Sequence, residues 1–365
     1  MKIASRFFFL LLLLLLFTAC QVNIGVPPQI HDTPQPLATF TALPTTAVAT
    51  ATSSSPINTP APPPTNTPPP NTPPPPTNTP IPPVPTATPM PTPSSTAPYY
   101  HQQAHPEQVI ASYFNAINRQ EYQRAYGYWE SPTQTYTDFV AGFATTASVN
   151  AVIRIPNMVE GAAGSLYTAI PTLILATHTD GSRHVYRACY VLRRSNLEED
   201  APWDIYQADA TIAANANVEQ LAQACTYGPP PPDWVYDEQD TPLHMIGSYI
   251  NAIDQQDYHR AYGYWESNPQ TYADFAAGFA DTASVMAVAR LPVLVEGAAG
   301  SQFARVATLL VATHTDGSHH FYRACYETRR SNMGPPTPSG WMIFRASANV
   351  ASNTDAWQLF NFCGP

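Results

Sequence analysis

Apolar residues recur every three or four positions over residues 106–143, the spacing that places side chains on one face of a helix. The pattern falls into three runs, and each predicts one helix. Their apolar positions are Val109, Ile110, Tyr113, Phe114 and Ile117, then Tyr122, Ala125, Tyr126 and Trp129, then Tyr136, Phe139, Val140 and Phe143. Thr135 followed by Asp138 resembles the capping box that begins a helix, so the third helix is predicted to start at this threonine.

Beyond residue 146 the pattern changes to runs that are rich in β-branched and aromatic residues and separated by turn-forming residues. These runs are SVNAVIRIPNMV, LYTAIPTLILATHT, RHVYRACYVL and WDIYQADATIA. Helices that precede the strands, rather than alternating with them, predict an α+β fold. We therefore expect N-terminal helices packed on a curved antiparallel sheet.

The segment HTDGSRHVYRACY, which starts at His178, concentrates residues that bind metals. Asp-Gly between two strand-like runs predicts a hairpin with a two-residue type I′ turn at Asp180 and Gly181. In that register His178 and His184 point to opposite faces of the sheet, and Cys189 lies roughly 20 Å from His178 along the strands. The segment therefore predicts a hairpin and no metal site.

The same register sorts the side chains of the two strands into two faces. The more apolar face is expected to contact the helices, and it would carry Leu173, Leu175, Thr177, His184, Tyr186, Ala188 and Tyr190. His184 and its counterpart His320 are then the histidines predicted to point inward.

The head of the protein contains a duplication. Residues 106–196 align without a gap on residues 242–332, and about two thirds of the aligned positions are identical. AYGYWES and VEGAAGS each occur twice, and a weaker match continues to the end of the chain. The sequence predicts two tandem domains of ordinary size, 106–227 and 242–365, joined by a Pro-rich linker at 228–241.

Four cysteines are divided equally between the two copies. In an exported chain, one matched pair in each copy predicts the disulfides Cys189–Cys225 and Cys325–Cys363. Each would tie the third strand to the C-terminal segment of its own copy. The alternative is a thiol pair with a redox or metal-binding role, but neither pair has the Cys-x-x-Cys spacing.

Residues 1–19 have the layout of a secretory signal, with Lys2 and Arg6 before an apolar run from Phe7 to Phe17. The sequence LFTAC that ends at Cys20 resembles the lipobox of bacterial lipoproteins, although Phe17 replaces the usual leucine. The resemblance implies lipidation of Cys20 and attachment to the outer face of the bacterial cell membrane, with the head extracellular. The alternative is ordinary secretion with a coincidental cysteine.

Residues 20–105 are dominated by proline and threonine and contain a single charged residue, Asp32. Such a composition has too little apolar surface to fold, and dense prolines favour extended polyproline II. We expect a disordered stalk that holds the head away from the membrane. A tolerated low-complexity linker is the alternative.

The chain is acidic, with 16 Lys and Arg against 26 Asp and Glu and a formal net charge of −10. Removal of residues 1–19 would make it more negative. This balance argues against nucleic acid as a partner and against electrostatic docking on anionic lipid. The expected membrane contact is the N-terminal lipid alone, and a cell-wall component or a protein remains a possible partner.

The run ASYFNAINRQEYQRAYGYWES, followed by TYTDFVAGFATT and four strands, resembles the nuclear-transport-factor-2-like superfamily of cone-shaped, cystatin-like domains. The resemblance covers both copies. It implies two tandem cones, and enzyme members of the superfamily place an acid or base inside the cone. Because other members are transport factors or accessory domains, the resemblance implies a fold rather than one function.

Few polar residues shared by the two copies are placed where such a cone would need them. Glu130, Glu266, His184 and His320 are weak catalytic candidates, with the glutamates as general bases. The alternative for Glu130 is a helix-end carboxylate in water. Aromatic residues are the candidates for a ligand pocket, namely Tyr113, Tyr126, Trp129, Tyr186, Tyr190, Tyr249, Tyr262, Trp265, Tyr322 and Tyr326.

These observations predict a surface-exposed lipoprotein whose duplicated head is a non-catalytic binding module for a small apolar ligand, a cell-wall component or a protein. One alternative is an isomerase- or hydratase-like enzyme, which a Glu130 facing His184 across an open cone would favour. The other is a structural spacer, which a cone filled by its own tyrosines would favour. No cofactor is expected, because no cofactor-binding motif is present.

Overall fold

The computed structural model describes residues 98–226, 231, 233–333 and 340–363. The signal-like residues 1–19, Cys20, the stalk as far as residue 97, residue 227 and part of the predicted linker (228–230 and 232) lie outside the described residues. Within the described ranges, no helix is both long enough and apolar enough to cross a membrane.

Each copy begins with three helices, as the periodicity predicts. In the first copy they are α1 (Pro106–Asn118), α2 (Tyr122–Tyr126) and α3 (Tyr136–Gly142). In the second copy they are α4 (Pro242–Asp254), α5 (Tyr258–Gly263) and α6 (Tyr272–Ala277). The predicted cap of α3 is confirmed, because Oγ1 of Thr135 accepts a hydrogen bond from the backbone of Asp138.

Ten strands form one antiparallel sheet over the described residues, and the predicted α+β class is confirmed. The first copy contributes β1 (Thr146–Ile155), β2 (Val159–Ala162), β3 (Ser165–His178), β4 (Arg183–Ser195) and β5 (Asp204–Ala213). The second contributes β6 (Thr282–Leu291), β7 (Val295–Ala298), β8 (Ser301–His314), β9 (His319–Ser331) and β10 (Met342–Val350). The strand order is β10-β9-β8-β6-β1-β3-β4-β5, and the short strands β2 and β7 pair with β3 and β8.

The two halves of the sheet meet at β1 and β6, which pair antiparallel. The register places Ile153 opposite Ala289, and these two residues occupy equivalent positions in the two copies. A pseudo-twofold axis therefore passes through this pair. The separate domains expected from the sequence share one continuous sheet, a result that no local pattern predicted.

The predicted two-residue hairpin turn is wrong. The backbone of His178 donates to the carbonyl of Ser182, and the N–H of Gly181 donates back to the carbonyl of His178. The loop therefore has three residues, ending in Gly181 with φ of +83°. This is the turn followed by a left-handed residue that three-residue hairpin loops commonly adopt.

This one-residue difference in register moves part of β3 to the other face of the sheet. Leu173 and Leu175 do not face the helices. They pack with Val185, Val218 and Leu221 in a second core on the opposite face. The helix-facing core contains Ile170, Ile174, Ala188 and Tyr190 instead. Both faces of the sheet are therefore covered, one by the helices and one by the C-terminal segment of each copy.

Both predicted disulfides are present. Cys189 is bonded to Cys225 and Cys325 to Cys363. In the first copy the bond follows a short 3-10 helix (Val218–Gln223), and in the second it follows another (Ala356–Leu359). Each disulfide therefore fastens the segment that covers the second core to β4 or β9, the strand next to the edge of the sheet in its own copy.

The ordered head begins before residue 106, because residues 98–105 (the lead-in segment) pack on α1. The backbone of Tyr100 donates to Oδ1 of Asn115 at 3.0 Å, and the backbone of Gln102 donates to Oγ of Ser112 at 2.8 Å. These residues were expected to belong to the stalk, and the structure assigns them to the head. Residues 236–238 make the corresponding contacts with α4.

Candidate functional site

The two candidate glutamates form surface ion pairs. Glu130 contacts Arg193, and Oε1 of Glu266 lies 2.9 Å from Nη1 of Arg329. His184 lies at the start of β4, nine residues from Arg193, which corresponds to roughly 30 Å along a strand. The structure therefore does not bring Glu130 and His184 together, and the arrangement that would have favoured an enzyme is not formed.

His184 and His320 are exposed at the hairpin end of the sheet rather than turned inward. The prediction that His178 and His184 point to opposite faces is wrong, because their ring centroids are 4.5 Å apart. The corresponding rings of His314 and His320 are 4.2 Å apart. The three-residue turn explains both contacts, since it places the two histidines of each hairpin on one face.

Most of the candidate pocket aromatics pack against one another in the helix-facing core. Tyr113 is 4% exposed, and its ring contacts those of Trp129, Phe139 and Tyr190 at centroid distances of 6.1 to 6.4 Å. Burial raises the pKa of both Tyr113 and Tyr190. The second copy repeats the arrangement with Tyr249, Trp265 and Tyr326, and Tyr126 and Tyr262 pack at the edge of the same core. Tyr186 and Tyr322 are half-buried near the hairpin histidines.

A cavity of about 560 Å³ lies where the first copy meets the second, and we call it the junction cavity. Phe114 of α1 and Val149 of β1 form one wall. Leu291 and Phe303 of the second copy form the other, and Tyr100 of the lead-in segment lies beside them. The pairing of β1 with β6 therefore creates the cavity.

A group of charged side chains borders the junction cavity. Nε of Arg345 donates to Glu327 at 2.5 Å, and Nε of Arg305 lies 3.6 Å from the other carboxylate oxygen. We call Arg305, Glu327 and Arg345 the charged rim. The half-buried Arg290 also lines the cavity, as does the carboxylate of Glu296. Three arginines against two glutamates leave one positive charge in excess.

The equivalent positions of the first copy carry no charge, because Ala169, Val191 and Gln207 replace the three rim residues. The cavity on that side is smaller, about 370 Å³. There α4 approaches the chain so closely that a Cβ at Gly247 would lie 3.0 Å from Cβ of Pro156. Ala111 occupies the position equivalent to Gly247 and lines the junction cavity. The two copies therefore differ in both the size and the charge of these cavities.

A second group of polar residues lies between the starts of α1 and α4, and we call it the junction cluster. It consists of His105, Glu107, Asp240 and His244. Nδ1 of His244 lies 2.7 Å from Oδ1 of Asp240, and Nε2 of the same ring lies 3.2 Å from Oε1 of Glu107. Nε2 of His105 lies 3.5 Å from Oδ2 of Asp240. Potential ligand atoms of His105, Glu107 and His244 all lie within 4.8 Å of one another, so these three residues could hold a metal ion.

The charges of the junction cluster stabilise the protonated form of His244. Burial alone would lower the pKa of His244, but Glu107 and Asp240 together raise it to about 10. Burial likewise opposes ionisation of Asp240, yet His244 and His105 lower its pKa to about 2. Burial lowers the pKa of His105. Burial also opposes ionisation of Glu107, yet His244 and His105 lower its pKa, so both carboxylates remain ionised beside the buried His244 ring.

Sequence reasoning missed the junction cluster because its members come from two copies more than 130 residues apart. A usable signal was nevertheless present. The copies are similar overall but differ at four of the five positions 104–108, where Ala-His-Pro-Glu-Gln in the first copy corresponds to Asp-Thr-Pro-Leu-His in the second. Differences that are concentrated in one segment and add charge to both copies indicate that these segments face each other.

Comparison of the chain with protein-family models, with curated proteins and with solved structures gives no match.

Proposed function

We propose that this protein is an exported lipoprotein whose head binds an amphipathic small molecule with an anionic group. The signal-like residues 1–19, the lipobox-like Cys20 and the Pro/Thr-rich stalk support export and anchoring on the outer face of a bacterial membrane. Each copy is proposed to be a cone-shaped domain of the nuclear-transport-factor-2-like kind, since each has helices on one face of an antiparallel sheet.

The observation that carries the binding function is the junction cavity. Its volume of about 560 Å³ lies within the range of roughly 300 to 1,000 Å³ that is usual for small-molecule sites. Phe114, Leu291 and Phe303 provide an apolar wall. Arg305 and Arg345 share one glutamate at the rim, so their two positive charges are only partly neutralised and could interact with an anionic group of the ligand.

A non-catalytic role is supported by the state of the candidate catalytic residues. Glu130 and Glu266 are exposed and engaged by arginines, and His184 is exposed at the opposite end of β4. None of the four catalytic candidates, Glu130, Glu266, His184 and His320, lines the junction cavity. The head is therefore proposed to hold its ligand without changing it.

The test uses the chain that starts at residue 21, so that no lipid is present, and two fluorescent probes. The anionic probe is 8-anilinonaphthalene-1-sulfonate, and the neutral one is N-phenyl-1-naphthylamine. We expect the anionic probe to bind with one site per chain. The double variant Arg305→Ala with Arg345→Gln introduces the residues of the first copy. It should weaken binding of the anionic probe by roughly 5- to 30-fold, because each of the two exposed ionic contacts contributes about 0.5 to 1 kcal/mol. The neutral probe should be unaffected.

A blocking variant locates the site. Gly297 lines the junction cavity, and a Cβ placed there meets nothing within 4 Å, so Gly297→Phe should fill the space without disturbing the fold. The matched control is Gly161→Phe at the equivalent position of the first copy. Loss of both probes in the first variant, with normal binding in the second, supports the proposal. Probe binding that survives Gly297→Phe refutes it.

A further inference from the structure

The junction cluster contains a buried oxygen atom whose bonding is incomplete. Glu107 is 6% exposed, and its Oε1 has no hydrogen-bond partner. Nε2 of His244 is only 3.2 Å away, but this contact is not aligned as a hydrogen bond. This carboxylate oxygen has an ion-pair partner but no aligned hydrogen bond, so its bonding is incomplete. An ion that replaces the Nε2 proton of His244 and bridges the two ligand atoms would complete it.

We propose that His105, Glu107 and His244 bind a divalent transition-metal ion, with zinc as the best match, and that the ion joins the two copies of the head. Two imidazoles and one carboxylate form a set of ligands that zinc accepts, with a fourth position for water. Two ligand atoms that each lie 2.0–2.2 Å from a tetrahedral ion are about 3.4 Å apart. The 3.2 Å between Oε1 of Glu107 and Nε2 of His244 is close to that spacing.

Asp240 has the position of an outer-sphere partner. Its Oδ1 lies 2.7 Å from Nδ1 of His244, so Nδ1 of the ring donates to the carboxylate and Nε2 is directed toward Glu107. Metal-binding histidines usually make such a bond to a carboxylate, which orients the ring and raises the basicity of the nitrogen that binds the ion.

The third ligand needs a small adjustment. The rings of His105 and His244 meet edge to face with centroids 4.8 Å apart. His105 precedes α1, and a quarter of its side chain is exposed. His105 and Glu107 also line two cavities of about 850 and 410 Å³, which give the ion and a coordinated water access to the site.

Comparison of the two copies shows that this set of ligands is not a general feature of the repeated fold. The equivalents of His105, Glu107 and His244 are Thr241, Leu243 and Gln108, and the last two cannot replace them as ligands of this kind. The pseudo-twofold axis therefore relates the cluster to a group of residues that could not form the same site. Each ligand can be exchanged for a residue that the other copy already accommodates.

The experiment uses the full-length protein in a mild detergent, treated with EDTA and dialysed. Titration with zinc chloride against a chromophoric zinc indicator should show uptake of one ion per chain with micromolar or tighter affinity. The midpoint of thermal unfolding should rise by roughly 5 to 10 °C when free zinc exceeds its dissociation constant about 100-fold. Cobalt(II) in place of zinc should give the visible absorption of tetrahedral coordination.

The variants His244→Gln, His105→Thr and Glu107→Leu should each fold and lose roughly 100-fold or more in zinc affinity. Asp240→Ala should lose roughly 10- to 100-fold, as expected for an outer-sphere residue. The control is His320→Gln, which removes one of the paired hairpin histidines and should bind zinc like the wild type. The proposal is overturned if the wild type takes up no zinc, if His244→Gln and His105→Thr bind as tightly as the wild type, or if only the control loses binding.

Discussion

Asn115 of α1 holds the lead-in segment against the head and thereby closes one side of the junction cavity. Its Oδ1 accepts hydrogen bonds from the backbone of Tyr100 and from Nη2 of Arg124, both at 3.0 Å. Its Nδ2 donates to the carbonyl of Pro98 at 2.7 Å. We expect Asn115→Ala to detach the lead-in segment, because the substitution removes all three bonds at a position that is 8% exposed.

The magnitude follows from the three bonds. Two neutral hydrogen bonds contribute about 1 kcal/mol each, and the bond from the arginine contributes about 1.5 to 3 kcal/mol. Asn115→Ala should therefore lower the free energy of unfolding by about 3 to 5 kcal/mol, which corresponds to roughly 6 to 20 °C in Tm for a head of this size. Hydrogen exchange at the amide of Tyr100 should accelerate strongly, since this amide loses its acceptor.

The second copy offers a matched control. Oδ1 of Asn251 accepts from the backbone of Tyr236 and from Arg260, both at 2.9 Å, and its Nδ2 donates to Trp234. Asn251→Ala should lose a similar amount of stability in urea unfolding, but only Asn115→Ala should weaken the binding of 8-anilinonaphthalene-1-sulfonate. A loss below about 1 kcal/mol in both variants would refute the hydrogen-bond reasoning. Equal weakening of the probe by both would refute the location of the ligand site.

Three further predictions concern stability. Replacing Cys325 and Cys363 by serine opens a loop with a sequence separation of 38 residues and should lower the free energy of unfolding by about 4 kcal/mol on the chain-entropy model, measured by urea unfolding. Gly181→Ala should cost roughly 1 kcal/mol, because φ is +83° there, and Gly181→Asn should cost less in the same assay. Burial, followed by the charge of Glu130, raises the pKa of Asp204, so the folded state binds this proton more tightly than the unfolded state does. Ionised Asp204 therefore lowers the free energy of unfolding, and this effect is lost in acid, where the carboxyl is protonated in both states. Asp204→Asn should raise the urea midpoint at pH 7 but leave it nearly unchanged at pH 3.

The parts of the fold that depend on local pattern could be predicted from the sequence. Helical periodicity around Tyr113, the cap at Thr135 and the β-rich runs correspond to elements of the structure. The disulfides followed from matched cysteines in two copies. In each case the information lies within one short segment or in a comparison of two similar segments.

The hairpin register could not be chosen from the dipeptide Asp-Gly alone. Gly181 adopts positive φ in the three-residue loop, and a two-residue type I′ turn would require the same of it. The choice depends on which face of β3 meets the helices, and Leu173 and Leu175 are apolar enough for either core. The second core was hidden for a related reason, because Val218 and Leu221 contribute to it only after the C-terminal segment has folded beneath the sheet.

The junction cavity and the junction cluster depend on the pairing of β1 with β6, which has no signature in either strand. His105 and His244 are unremarkable in their own segments and become neighbours only through that pairing. The aromatic residues were assigned to a pocket because tyrosine suits both a core and a ligand site. Tyr113 and Tyr190 are core residues because their neighbours are large enough to fill the space between helices and sheet.

The pairing of Ile153 with its equivalent Ala289 means that the head is built as a dimer joined into one polypeptide. A contact between identical surfaces about a twofold axis is the commonest way in which separate subunits associate. Covalent linkage makes that association intramolecular and therefore independent of protein concentration. It also allows the two halves to differ in sequence, whereas the subunits of a homodimer are necessarily identical. The charged rim on one side only, and a cluster assembled from unlike halves, are structures that such freedom allows.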